Sequence, residues 1–280
     1  MDANQKKNLK KIITEQPSRY QDLDKMSVKE LIEGINREDS YVHKAVKKAL
    51  PQIEKLIKEI LARMKKGGRM FYLGAGTSGR LGVLDASELP PTFGVPGDMV
   101  TGLIAGGDVA LRKAVEKAED DPERAWEELK AFDINKLDTV IGIAASGRTP
   151  YVVGGLERAR SGGLLTGCIT CNPGSPVVQA AEIAIEAIVG PEFLTGSTRM
   201  KAGTAQKMIL NSITTTLMIK LGKVEGNKMV NMQLTNNKLV RRGTIMIMEK
   251  LPLDAAKARD LLLKHGSVRV AIESWKQENE

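Results

Sequence analysis

Cysteine, histidine and aromatic residues are all scarce in this chain. Its 280 residues hold two cysteines, two histidines and 4% aromatics. Cys168 and Cys171 form a C-x-x-C, but they lie inside an apolar, β-prone run from Leu164 to Cys171. A redox pair would instead open a helix just past its strand, so the spacing reads as two buried core thiols. His43 and His265 stand far apart, which leaves a zinc site little to build on. Few aromatics mean few platforms on which single-stranded bases could stack. Long hydrophobic runs are missing as well: the best, Met208 to Leu221, is broken by Asn211, Ser212 and several threonines, and does not read as a membrane span. The opening Met1–Lys7 is polar with no apolar stretch behind it, so no secretory signal is read and a cytoplasmic location is expected.

What is present is a soluble globular composition, 42% hydrophobic and 27% charged, with 27 glycines and a formal charge of +8. The basic residues are spread among acidic ones, with small clusters near the N-terminus and at Arg241-Arg242. A solvated basic surface or a taste for anionic substrates accounts for that balance, and neither nucleic acid nor membrane is expected as a partner.

Strand and helix signals alternate through the middle of the chain. The first two dozen residues read as irregular, and Ser27-Val28-Lys29-Glu30 as a capping box that opens a short helix to about Asn36. Apolar residues at helical spacing, from Val42 and Val46 to Ile60 and Met64, predict one long helix from Asp39 to Lys66, bent at Pro51 and ended by Gly67-Gly68. Five short apolar runs then predict strands: Met70–Leu73, Met99–Ala105, Thr139–Ala144, Leu164–Cys171 and Ile183–Val189. The intervening helices are predicted over Ser78–Glu88, stopped by Pro90-Pro91, from Asp108 to Glu119 with a second piece to Phe132, and over Pro150–Arg160. A long helix is expected from Ser197 to Leu221, and two short ones follow, capped by Asp254 and Ser267 and separated by Gly266. The pattern is α/β, a doubly wound, mostly parallel sheet whose ligand site should lie outside the strand carboxyl ends. The expected organisation is an N-terminal helical extension over 1–66, a central domain over 67–250 and a short helical appendage over 251–280.

Two loops carry the chemistry. Gly74-Ala75-Gly76-Thr77-Ser78-Gly79-Arg80 follows the first predicted strand, and Ala144-Ala145-Ser146-Gly147-Arg148-Thr149-Pro150 follows the third. The first matches G-x-G-x-x-G, the fingerprint of a dinucleotide fold. That fold requires an acidic residue about twenty positions on to hold the ribose, where this chain reads Phe93-Gly94-Val95-Pro96. A tight turn without a ligand explains the glycines, but not the hydroxyls and arginines in both loops. Hydroxyls at Thr77, Ser78, Ser146 and Thr149, beside Gly76, Gly79 and Gly147, suit a phosphate monoester instead. A third such turn, Glu192-Phe193-Leu194-Thr195-Gly196-Ser197-Thr198-Arg199-Met200-Lys201, precedes the long helix; its Arg199 and Lys201 suit a phosphate or carboxylate, or a solvated surface.

These stretches, with Asp85-Ala86-Ser87-Glu88, Pro90-Pro91-Thr92-Phe93, Leu103–Gly107, Ala118-Glu119-Asp120 and Gly196–Lys207, resemble the N-acetylmuramic acid 6-phosphate etherase family of the sugar isomerase (SIS) fold group. The likeness runs from about Thr14 to Leu251; Leu89 stands where cysteine is common, and the C-terminal helical region is shorter than in many members. The resemblance implies a doubly wound five-stranded parallel sheet flanked by helices, and cleavage of the D-lactyl ether of the sugar phosphate by elimination and water addition. It implies no metal or organic cofactor, a small sugar phosphate as partner, and a homodimer with sites near the interface. By matching motif positions, Glu88 resembles the family's acid and Glu119 its base. Gly76, Thr77, Ser78 and Gly79, then Ser146, Gly147, Arg148 and Thr149, and Ser197 with Lys201, are the expected substrate-binding residues. Two other readings share the fold, an aldose–ketose isomerase and a non-catalytic sugar-phosphate sensor similar to the glucokinase regulatory protein.

Overall fold

In the computed structural model, residues 12–279 are described; the basic cluster near the N-terminus and the start of the irregular opening lie outside them. Five strands form one parallel sheet: β1 (Met70–Gly74), β2 (Val100–Ile104), β3 (Thr139–Ile143), β4 (Leu165–Thr170) and β5 (Ile183–Glu186), in the order β2-β1-β3-β4-β5. Every residue of β1, β3 and β4 is buried, which is why these strands read as continuous apolar runs without alternation. On one face Phe71, Leu73, Val140, Tyr151, Val152 and Leu156 share a core. On the other, Leu56 packs where Gly167 of β4 has no side chain. Each such aliphatic side chain removed from water contributes about 1.5–3 kcal/mol. Cys168 and Cys171 are free and buried, and burial pushes both thiols up to about 12, as core thiols require.

The capping box is present, and helix α1 runs Val28–Asp39, with Ser27 and Glu30 satisfying each other's backbone N–H. The long helix expected over Asp39–Lys66 is two helices, α2 (Val42–Lys48) and α3 (Leu50–Met64). Proline cannot donate to the preceding turn and crowds its carbonyl, so at Pro51 the chain restarts rather than bends. Helix α4 spans Gly76–Ser87, and Pro90-Pro91, expected as a stop, lies in the first turn of a short α5 (Leu89–Phe93). There the missing N–H groups need no partner. The helix expected from Asp108 to Glu119 closes after one turn, α6 (Val109–Arg112). Arg80 donates to the carbonyls of Ala110 at 2.7 Å and Leu111 at 3.0 Å, engaging acceptors that a continuing helix would use. The chain then passes through a left-handed Lys117 (φ 62°) into a 3-10 turn at Ala118–Asp120. Next come α7 (Arg124–Lys130), α8 (Pro150–Ser161), α9 (Pro176–Ala180) and α10 (Lys201–Lys220), the last starting four residues after the expected Ser197.

Sequence reading missed α9, a hairpin of β6 (Val224–Glu225) with β7 (Lys228–Met229), and helix α11 (Asn237–Met248), capped by Asn236 on the N–H of Leu239. The last helices are α12 (Ala255–His265), capped by Asp254 and ended by left-handed Gly266, and α13 (Val268–Asn279). Helices α11 to α13 share a core with Val230 and Met232. Contacts divide the chain into two compact units, one of the described residues to Ala86 with Val100–Ile213, the other of Ser87–Met99 with the residues from Thr214 on.

Candidate active site

Strand order dictates where this fold has room for a ligand. From β1 the chain moves to β2 on one side, and from β3 to β4 on the other. The loops after β1 and β3 therefore diverge and leave a crevice between them. Gly74 and Ile143 are register partners at the ends of these two strands, so the two loops start on adjacent strands about 4.8 Å apart. Each leads directly into a twelve-residue helix, α4 or α8, whose free N–H groups face the same end of the sheet. The two hydroxyl loops picked from sequence are thus brought together.

Within the first loop the residues differ in what they offer. Gly76 is exposed, with φ 52°, and Thr77 is half-buried. Ser78 is buried and donates its hydroxyl to Oε1 of Gln206 at 3.0 Å. Gly79 is also buried, and a Cβ there would strike Ile104. Ser78 and Gly79 are therefore turned into the packing, while Gly76 and Thr77 lie nearer solvent. In the second loop Ser146 is half-buried and accepts from the N–H of Arg148 at 3.3 Å. Gly147 has φ 69°, and the Ser175 side chain occupies the space a Cβ would take. Arg148 is exposed and Thr149, ahead of Pro150, half-buried.

The third turn is organised by buried charge. Ser197 is half-buried, but Lys201, expected to face substrate, is 1% exposed with its ammonium 2.5 Å from Glu38. Glu192 accepts the backbone N–H groups of Lys201 and Ala202, both at 2.9 Å, and so closes the start of α10. Burial raises the Glu192 pKa, and those two N–H bonds oppose the rise. An ammonium lodged against a buried carboxylate holds the turn in place, a task that fixes its geometry rather than presents a free cation.

Glu119, in its 3-10 turn, is exposed and lines a cleft of about 230 Å³ together with Ala75, Gly76, Arg80 and Ala105. The expected base is thus beside the first loop. Glu88 is exposed and follows the last residue of α4, where its carbonyl accepts the N–H of Thr92 at 3.3 Å. Glu88 belongs to the second compact unit, whereas the first loop and Glu119 belong to the first. Sequence reasoning assigned no role to Glu38, Asn172 or Gln206. Asn172 and Ser175 follow β4, and the rule that ligands lie outside strand carboxyl ends would have marked them. Among the described residues no group of three or more His, Cys, Asp or Glu is placed to hold a metal ion.

Residues 118–216 match the SIS domain family, and residues 52–160 match the glucokinase regulatory protein N-terminal SIS domain. A phosphoheptose isomerase from Francisella tularensis superposes with a TM-score of 0.52 over 71% of this chain and 100% of its own, at 17% identity. That likeness concerns the fold alone. The sequence relatives reach further. N-acetylmuramic acid 6-phosphate etherase of Bacteroides thetaiotaomicron is 67% identical over 95% of this chain and 96% of its own length. Those of Porphyromonas gingivalis and Christiangramia forsetii are 63% and 59% identical, over 95% and 97% of this chain and 97% and 99% of theirs. With identity this high over nearly the whole length, the chain belongs to the N-acetylmuramic acid 6-phosphate etherase family.

Proposed function

We propose that this chain is a carbon–oxygen lyase that cleaves the D-lactyl ether at C3 of N-acetylmuramic acid 6-phosphate, giving D-lactate and N-acetylglucosamine 6-phosphate in cell-wall sugar catabolism. The observation that carries the reading is the crevice between the two hydroxyl loops at the helix N-termini, with the Glu119 carboxyl on the cleft beside the first. The 6-phosphate rests on Gly76, Thr77, Ser146, Gly147 and Thr149, with Arg148 and Ser197 at its rim. Ser78, Gly79 and Lys201 keep these turns in shape from beneath.

An alkoxide leaves an ether poorly, so the reaction needs help at two atoms. Opening of the sugar ring exposes the C1 aldehyde, which acidifies the C2 proton. Glu119 removes that proton to give an enolate, and the C3–O bond then breaks as Glu88 protonates the departing lactate oxygen. The C2=C3 double bond then takes up water, oxygen at C3 and hydrogen at C2, so one water is consumed overall. Incubating pure protein with the substrate should release one equivalent of lactate, and folded protein that releases none would sink the reading.

Acid and base act on adjacent carbons, so their carboxyl groups must meet within a few ångströms. Glu119 works beside Gly76 in one compact unit, while Glu88 belongs to the other. The proposal includes a homodimer in which Glu88 of a second copy completes the site, with the sugar phosphate as its other partner. Mixing Glu88→Gln and Glu119→Gln proteins with subunit exchange should then restore about a quarter of wild-type activity, because mixed dimers carry one intact site. No recovery after verified exchange would show that both groups act within one chain. A cytoplasmic location belongs to this proposal. No described helix is long and apolar enough to cross a membrane.

A further inference from the structure

Asn172 takes no part in the chemistry above, yet it is one of the most completely bonded side chains beside the site. It is 5% exposed and makes all four hydrogen bonds an amide side chain allows. Its Oδ1 accepts the backbone N–H groups of Ile13 at 2.6 Å and Thr14 at 3.3 Å. Its Nδ2 donates to the Thr14 hydroxyl and to the Ala145 carbonyl, both at 2.9 Å. Ala145 directly precedes Ser146, and the same carbonyl accepts the N–H of Cys171 at 3.1 Å. One buried amide thus clamps the start of the described chain, more than 150 residues away in sequence, onto the backbone that launches the second loop.

The clamped segment does not stop there. At Ser18 its N–H reaches the Thr195 hydroxyl at 2.9 Å and its own hydroxyl reaches the Phe193 carbonyl at 2.6 Å. The ring of Tyr20 packs on Phe193 with centroids 4.7 Å apart. Residues 12–20 therefore run as a strap from the second loop to the third turn, both of which carry expected phosphate ligands. Buried polar contacts that are all satisfied hold one geometry rather than several.

We infer that Asn172 is a positioning residue for the sugar phosphate: by joining the strap at Ile13–Thr14 to Ala145, it sets the Ser146–Thr149 loop at a fixed distance from the Ser197 turn. The inference rests on the proposed reading of those loops as the phosphate site. Only an amide does this work. A carboxylate of the same shape still accepts from Ile13 and Thr14, and the Thr14 hydroxyl can rotate to donate to it. It has no proton for the Ala145 carbonyl, which keeps only its bonds from the Cys171 N–H and the Thr170 hydroxyl, so Asn172→Asp loosens the loop while keeping the strap. Thr14→Val loosens the opposite half of the joint.

The test reads ligand binding and turnover separately. Asn172→Asp and Thr14→Val should each raise KM for the sugar phosphate about tenfold, with kcat within about threefold of wild type. The inhibition constant for inorganic phosphate, which touches only the loops, should rise by a similar factor. Thr14→Ser keeps the hydroxyl and should recover most of the wild-type KM. Circular dichroism establishes that each variant is folded. Unchanged KM and phosphate inhibition in folded variants, or a fall confined to kcat, would overturn the inference and leave Asn172 as a buttress of the fold. Should wild type release no lactate, the functional reading fails instead, and calorimetric binding of inorganic phosphate to the same variants still decides the joint.

Discussion

Glu119→Gln is expected to lower lactate release by about 10²–10⁴-fold and to abolish hydrogen exchange at C2 of the sugar. The amide keeps the size and shape of the carboxyl but cannot take a proton. Glu119 is exposed, and the 3-10 turn that carries it follows left-handed Lys117. Thermal unfolding should therefore match wild type, and KM should change little, because the phosphate loops are untouched. Loss of turnover without loss of stability or affinity marks a group used in the transition state. A variant that exchanges C2 hydrogen at the normal rate would remove Glu119 from its role and leave the fold and family standing.

Glu88→Gln is expected to separate the two halves of the reaction. Lactate should leave about 10²–10⁴-fold more slowly, since nothing protonates the ether oxygen. Proton abstraction at C2 needs only the base and the open-chain aldehyde, so exchange should continue on unreacted substrate. In heavy water the recovered substrate should carry deuterium at C2 well before lactate appears, whereas wild type should return little labelled substrate. The exposed position of Glu88 next to the prolines of α5 makes the change a mild one for the fold. Parallel loss of exchange and lactate release in this variant would mean that Glu88 is the base, or that elimination is concerted with its help.

The same contrast orders the alternatives. An aldose–ketose isomerase also exchanges C2 hydrogen but has no use for an acid at C3, and a sugar-phosphate sensor uses neither glutamate. Sensitivity at both positions, each in its own step, distinguishes a lyase from either.

Much of this architecture was legible because strands buried on both faces are written as unbroken apolar runs. Met70–Leu73 and Thr139–Ala144 needed no tertiary information to be read, nor did the glycines and hydroxyls that follow them. What escaped depends on contacts between distant residues. Arg80 ends α6 by holding its carbonyls from 30 and 31 residues upstream, and local spacing carries no trace of that. Lys201 reads as a free cation until Glu38, 163 residues earlier, comes to rest against it. The clamp at Asn172 is equally remote from Thr14 in sequence. Helix α11 was obscured by Gly243 in its middle, where Leu262 packs into the space a side chain would take. The glutamates are the extreme case: neither acidic position differs locally from a solvated face, and their roles come from the family motif.

One measurement bears on all of this. Purified protein is incubated in heavy water with N-acetylmuramic acid 6-phosphate, and both lactate and the isotope content of the sugar product are followed. The account predicts one lactate per sugar consumed and one deuterium at C2 of the N-acetylglucosamine 6-phosphate formed. Lactate release with hydrogen retained at C2 would contradict elimination through that carbon, and with it the assignment of Glu119 as base.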